Sequence, residues 1–411
     1  MVIARLVRLD AENLNASAGF LFYFNSRAYN ASVVERQYIV FVNIIRQIRK
    51  NVSCNLPVAV NEQFRPVALF QRIFGDSFVG PGFIDLHIHG AVGEGFNKCD
   101  EAGLRKILDY CACHGTTACL AGIMTDTVEA TGKAVENISG YMKSSRNEDG
   151  TTAGLLGVYL EGPFLNPNVC GAMAPSLIIP ADIGLFKQWE DSGVVRLITI
   201  APEMPGARGL MEYVRSKGGC ILSAGHTGAG YDEMLEAIGH GIGHITHFYN
   251  AMAGFHHRQP GAAAAGIFSD AVLELITDNV HVHPAMCKLV YMLKKRDQVC
   301  LITDSISTGG LPDGEYDVDG RTIYVKGGRN AFADGVLAGS SHTMDQAVKN
   351  TAGIVPVQDA WSMASYSPAK VLGLQHERGA LKTENIADIA VLGSDLSPRA
   401  TFIRGKMAWR V

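Results

Sequence analysis

Short apolar runs rich in β-branched residues recur along the chain, most of them followed by a polar turn and a helix-like segment. Eight stand in series: 83–89 (FIDLHIH), 116–123 (TTACLAGI), 155–161 (LLGVYLE), 195–200 (VRLITI), 220–224 (CILSA), 242–246 (IGHIT), 272–277 (VLELIT) and 299–303 (VCLIT). Runs of this length and composition suit strands buried on both faces. Segments of helical period fill most of the intervals, at 101–114, 127–143, 180–192, 206–217, 231–239 and 284–295. Strands alternating with helices imply a parallel sheet. Eight in one series predict an α/β protein built on a closed (β/α)8 TIM barrel. The competing arrangement is an open doubly wound sheet, but no G-x-G-x-x-G follows the first strand.

The pattern changes at both ends. Residues 385–411 hold short alternating runs (ADIAVLG, ATFIRGKMAWRV) that read as antiparallel strands. Residues 1–77 carry no repeat, low-complexity tract or chemical motif; within them 33–50 reads as helix and 1–9 as strand. The expected division is an atypical N-terminal segment at 1–77, the barrel at 78–384, and C-terminal strands of a small β domain at 385–411.

Composition narrows the function. Apolar residues make up 47 % of the 411 and charged residues 18 %, an ordinary globular balance that excludes a mostly disordered chain. Lys and Arg number 36 against 40 Asp and Glu, a net charge of −4. Such a chain has no footprint for sequence-independent nucleic-acid binding, so an anion must be held by a local site. The 9 cysteines form no C-x-x-C pair, which argues against a disulfide framework or zinc ribbon and for a reducing compartment. N-x-S sequons begin at Asn15, Asn30, Asn51 and Asn137, and with no signal peptide read ahead of them they are expected to be inert. The apolar stretches 19–24 and 38–45 fall far short of the roughly 20 residues that span a bilayer. A cytoplasmic protein without membrane or nucleic-acid partners is expected.

The chemistry gathers where strands end. His87 and His89 are alternate residues of the first strand, so both imidazoles point to one side. Glu161 ends the third strand, His226 follows the fifth, and His247 follows the sixth with Asn250 and Ala251 close behind. Asp278 and His281 follow the seventh, and Asp304 ends the eighth. Barrel enzymes build their sites at this end. A lone strand-end histidine is usually a satisfied polar residue, but this set in register is a donor set of N and O ligands for a divalent metal.

Other features are weaker. Cys111, Cys113 and His114 share a helix on which i and i+2 do not face each other, so buried free thiols are the simpler reading. His256, His257 and Arg258 form a cationic cluster in a Gly-rich loop, either solvated or anion-binding. Ser340 lacks the G-x-S-x-G elbow of a nucleophile, and Gly339 with Ser340 and Ser341 reads as a close backbone approach or turn. His240, His244 and His376 read as structural.

At these residues the chain resembles a known family. PGFIDLHIHG (81–90) is similar to the opening signature of the amidohydrolase superfamily, whose barrels bind one or two divalent metals. LEGPFLNP (160–167), SAGHT (223–227), THFYNAM (246–252), RQPG (258–261), DNVHVHP (278–284), LITDS (301–305) and LAGSSHTM (337–344) together resemble the N-acetylglucosamine-6-phosphate deacetylase family over residues 78–411. The resemblance implies metal ligands at Glu161, His226 and His247, with His87 and His89 helping to hold a second ion. It implies zinc or iron, one tightly bound per subunit. It puts the catalytic carboxylate at Asp304 and sugar-phosphate contacts at Asn250, Ala251, Arg258 and His281. Backbone contacts to the sugar fall on Ala172, Leu337, Ala338 and Gly339. It further implies a homodimer in which Arg258 reaches across the interface, and a small β-sandwich domain formed from the chain ends. One departure stands at Met173, where the family usually carries His or Gln near the acyl group; a thioether cannot donate to a carbonyl.

The implied reaction is metal-dependent hydrolysis of the acetamide of N-acetyl-D-glucosamine 6-phosphate, with Asp304 moving the proton. The alternatives are another metal-dependent amidohydrolase, a cyclic amidase or deaminase, and a non-catalytic barrel. A carboxylated lysine is common in several of the former, whereas the third strand here ends in Glu161. The latter typically loses ligands that this chain keeps.

Overall fold

The computed structural model describes residues 22–24, 74 and 76–411. Each of the eight apolar runs is a strand: Phe83–Ile88 (β1), Thr116–Met124 (β2), Gly154–Glu161 (β3), Val195–Ile200 (β4), Ile221–Ala224 (β5), His244–Ile245 (β6), Val272–Ile276 (β7) and Val299–Ile302 (β8). They lie side by side in chain order, and every adjacent pair is parallel. Just beyond β8 the sheet curls back onto β1. Asp304 N–H donates to His87 O at 2.8 Å, and His89 N–H donates to Ser305 O at 2.7 Å. The sheet thus closes at the end where its strands finish, as a (β/α)8 barrel does.

Helices cover the outside: Glu101–Cys113 (α1), Val128–Lys143 (α2), Ile183–Glu190 (α3), Ala207–Lys217 (α4), Tyr231–Gly239 (α5), Gly261–Phe268 (α6), Pro284–Leu293 (α7), Met344–Ala352 (α8) and Val357–Val371 (α9). Three of them, α1, α2 and α3, start where a side chain serves their first free N–H groups. Asp100, Thr127 and Asp182 accept from Gly103, Ala130 and Leu185 at 2.9, 3.2 and 2.9 Å. The expected segment 180–192 therefore begins only after Asp182. Segment 284–295 stops at Leu293 because Lys294 turns inward, donating to Gly266 O (3.2 Å) and Ser269 O (2.7 Å). The helix α6, GAAAAGIF, escapes the periodicity because Gly261 to Ile267 are all buried and leave no polar face to alternate.

Between β8 and α8 lies an antiparallel four-stranded insert that the pattern does not announce: Gly314–Val318, Arg321–Lys326, Arg329–Ala331 and Leu337–Ser340. Its last strand is sewn to the barrel. Ser340 N–H donates to Asp304 O at 2.7 Å, and Ile306 N–H to Ser340 O at 3.1 Å. Gly339 sits at φ +54°, where an added Cβ would lie 2.5 Å from Ile306 Cγ2 and 2.9 Å from Asp304 O. The close approach expected there is present, within a strand and not a turn.

The C-terminal runs form Ile389–Gly393, Pro398–Ile403 and Lys406–Arg410. Ser77–Pro81 pairs with the first of these and Phe22–Phe24 with Ser77–Pro81, so both chain ends contribute to one five-stranded antiparallel sheet. The expected helix at 33–50 and strand at 1–9 lie outside the described residues. Trp361 of α9 joins this sheet to the barrel. Its ring stands 5.0 Å from Phe83, and its Nε1 donates to Pro81 O at 2.8 Å. Side chains buried this completely contribute roughly 1.5–3 kcal/mol each. Gly80 is required beneath Trp361, because a Cβ there would lie 2.4 Å from the indole. Among the described residues no helix is long and apolar enough to cross a membrane.

Candidate active site

The barrel places its donors by simple register. Glu161 ends β3, while His226, His247 and Asp304 each follow their strand by two residues. His87 lies in β1 and His89 just past it. His226 (φ +47°), His247 (+29°), Ala251 (+46°) and Asp304 (+50°) all take backbone conformations that non-glycine residues adopt at a cost. Strain of this kind gathers where side chains must be aimed.

The aim is convergent. Nε2 of His226 and Nε2 of His247 lie 3.0 and 3.1 Å from Glu161 Oε1 and 2.9 Å from each other. Nε2 of His89 lies 3.1 Å from Glu161 Oε2 and 2.9 Å from His87 Nε2. Asp304 Oδ1 stands 3.4 Å from His87 Nε2 and 3.5 Å from His89 Nε2.

The far ring nitrogens fix the tautomers. Nδ1 of His226 faces Val169 O at 3.2 Å, Nδ1 of His89 faces Gly122 O at 3.0 Å, and Nδ1 of His87 faces Glu274 Oε2 at 2.8 Å. Each acceptor calls for a proton on Nδ1, which leaves the lone pair on Nε2. Lone pairs of His87 and His89 then face each other, and that of His226 faces a carboxylate. Buried acceptors crowded this way repel unless positive charge sits among them. Burial pushes His87 down, yet Glu274, Asp304 and Glu161 around it carry the free imidazole up to about 10. Burial also opposes ionisation of Glu161, but the histidines around it, His87 first, hold its carboxyl well below the usual range. The cluster is an anionic cage short of a cation. Two triads fit a divalent ion: Glu161 with His226 and His247, and His87 with His89 and Glu161.

A cavity of about 380 Å³ opens over these groups. Asn250, Ala251 and His281 line it, as do Ala172, Met173, Leu337, Ala338 and Gly339. Asp278 braces His281: its carboxylate accepts from Nδ1 (2.6 Å), from the His281 amide (2.8 Å) and from the Val280 amide (2.9 Å). Burial lowers the His281 pKa, and the bond and charge of Asp278 outweigh it and raise it. The imidazole is thereby favoured as a cation at the cavity wall. Arg258 is not in this cavity; it is exposed on the loop before α6, with Nη1 2.6 Å from His257 Nε2. Cys111, Cys113 and His114 do not converge on a point: Cys111 is buried against Cys119, and His114 Nδ1 pairs with Asp345 at 2.9 Å.

The amidohydrolase family profile matches residues 78–408. The N-acetylglucosamine-6-phosphate deacetylase of Bacillus subtilis (strain 168) is 34 % identical over 81 % of this chain and 85 % of its own. This chain belongs to the N-acetylglucosamine-6-phosphate deacetylase branch of the amidohydrolase family. The N-acetylgalactosamine-6-phosphate deacetylase of Escherichia coli O157:H7 is 33 % identical over 84 % of this amidohydrolase and 90 % of its own length. A variant of the Mycobacterium smegmatis N-acetyl-D-glucosamine-6-phosphate deacetylase, solved with N-acetyl-D-glucosamine-6-phosphate, superposes with a TM-score of 0.77 at 29 % identity, covering 87 % and 91 % of the two chains.

Sequence reading misses one residue of this amidohydrolase's site. Glu274, in the middle of β7, is fully buried. Besides His87 Nδ1, its Oε2 accepts from the His247 amide at 3.0 Å, so a single carboxylate touches both triads. The signal was a lone charge inside VLELIT, an otherwise apolar strand. Glu274→Gln is expected to remove the charge that holds the His87 tautomer and to weaken the second equivalent of metal by about 10–100-fold, with the first retained. Metal titration of the chelator-stripped protein checks this; unchanged affinity for both equivalents would refute it. His244, read as structural, lies beside Glu274, with Nδ1 on Ser223 Oγ at 3.0 Å.

Proposed function

We propose that this protein hydrolyses the acetamide of N-acetylglucosamine 6-phosphate to glucosamine 6-phosphate and acetate, a step of amino-sugar breakdown. The observation that carries the reading is the place of Asp304, a carboxylate at the open edge of the caged donors and on the wall of the same cavity as His281. Glu161, His226 and His247 would hold one divalent ion, zinc or iron, and His87 and His89 with Glu161 a second. When bound, such an ion polarises the amide carbonyl and lowers the pKa of water from near 16 towards about 7. Asp304 accepts the proton of the attacking water and returns it to the leaving nitrogen. His281, Asn250 and Ala251 hold the 6-phosphate, and the backbone at Ala172, Leu337, Ala338 and Gly339 contacts the sugar. Binding energy at the phosphate positions the acetamide over the reacting groups. The relatives named above are deacetylases, which favours this reading over a cyclic amidase or deaminase.

The active form in this reading is a homodimer in which Arg258 completes the phosphate site of the partner subunit. The exposed apolar side chain of Phe255, on that same loop, supports it. The eight cysteines among the described residues are all free, which supports a reducing, cytoplasmic setting.

Acetate release from N-acetylglucosamine 6-phosphate, its 4-epimer N-acetylgalactosamine 6-phosphate and unphosphorylated N-acetylglucosamine tests the assignment. The relative that acts on the 4-epimer makes that second sugar phosphate the informative comparison. Arg258→Ala should cost about 1.5–3 kcal/mol in kcat/KM on the phosphorylated sugars, the worth of a charge-assisted bond. Equal losses with and without the phosphate would mean that Arg258 does not read it.

A further inference from the structure

N-acylglucosamine 6-phosphate carries its acyl group on C2 and its phosphate on C6, on opposite sides of the sugar ring. In the reading above the phosphate is held beyond β6 and β7, at Asn250, Ala251 and His281, which would direct the acyl group across the mouth towards β2 and β3. The insert's side of the wall it meets there is mostly apolar, while Asn97, Thr125 and Asp126 line the cavity beside Met124. Met124 ends β2, Met173 lies on the loop after β3, and the insert brings Val318, Ile323 and Phe332 to the same cavity. Four of these, Met124, Val318, Ile323 and Phe332, pack with Ala172 into one continuous cluster, and Met173 lines the cavity next to Ala172. The charged groups beside it are engaged with their own neighbours. Arg321 lays its guanidinium 3.5 Å from the Phe332 ring centre and donates to Ala172 O, and Lys98 pairs with Asp319 at the rim. An acetyl methyl is a small occupant for a surface of this extent, and unbranched Met side chains adapt to longer ones.

We propose that this wall is an acyl-chain subsite, and that the enzyme hydrolyses N-acylglucosamine 6-phosphates with acyl groups longer than acetyl, propionyl and butyryl among them. The proposal rests on the sugar-phosphate reading above. The chemistry is unchanged: the water oxygen forms the new C–O bond, the amide C–N bond breaks, the acyl group leaves as a carboxylate and the nitrogen takes the proton. Each added methylene leaves water for Met and Phe contacts, which favours the longer chain. Met173 lines the same cavity one residue after Ala172, where a hydrogen-bonding side chain would offer the acyl chain a polar contact instead.

Steady-state kinetics of the metal-loaded enzyme on N-acetyl-, N-propionyl- and N-butyrylglucosamine 6-phosphate test it. The expected kcat/KM for butyryl lies within about 10-fold of acetyl, whereas a pocket shaped for acetyl alone discriminates by about 10–200-fold per methylene. Met173→Gln should lower the butyryl-to-acetyl ratio by about 10-fold, since two methylenes then meet an amide. Normal acetyl turnover with a butyryl loss beyond about 100-fold overturns the subsite and leaves the function standing. A ratio unmoved by Met173→Gln overturns the assignment of this wall. Hydrolysis of none of the three overturns the function and the subsite together.

Discussion

Asp304→Asn is expected to lower kcat by about 10²–10⁴ while the fold and the tight metal site persist. The substitution is close to isosteric, and Asn is more tolerant than most residues of the positive φ that Asp304 adopts. The backbone bonds that close the barrel, Asp304 N–H to His87 O and Ser340 N–H to Asp304 O, are untouched. What disappears is an acceptor able to take a proton: an amide cannot be protonated near neutral pH. Turnover and metal content, measured on the same preparation, separate the two roles. An Asn variant with near-normal kcat would remove Asp304 from the proton path. One that lost its metal would recast it as a ligand.

His226→Ala should do the reverse, stripping the tight metal and taking activity with it. Only Glu161 and His247 of that triad would remain, too few donors to hold an ion against water. Loss of an electrophile worth several kcal/mol corresponds to a rate loss on the order of 10³ or more. Elemental analysis should find less metal than in the parent protein, and circular dichroism should find the same secondary structure. Full metal occupancy in the variant would sink the ligand assignment.

How much of this was legible beforehand follows from what each residue faces. The eight strands could be read because burial on both faces writes an unbroken apolar run, and the donors because each stands at or just past the end of such a run. Six helices with one polar face could be read for the same reason; α6, buried all round, could not, and α8 and α9 were not singled out either. The insert at 314–340 escaped because its first two strands are largely exposed and its last two are only three and four residues long. Glu274 escaped because periodicity treats a charge inside a strand as noise. Its meaning lies in His87 and His247, which are close only in space. Arg258 remains the residue that a single chain explains least: its loop is exposed, and the cavity it is expected to serve is not its own.

The stitching of Leu337–Ser340 to the Asp304 backbone has a consequence for how such an enzyme can diverge. The insert supplies Val318, Ile323 and Phe332 to the cavity at one end of its sheet and grips the Asp304 loop at the other. Substrate range and turnover therefore hang on one mechanical part. A lineage that reshapes these strands to admit a bulkier acyl group also shifts the lever that aims Asp304. Changes confined to the exposed outer strands, Gly314–Val318 and Arg321–Lys326, offer the gentler route, because the hydrogen bonds to Asp304 and Ile306 come from the last strand alone.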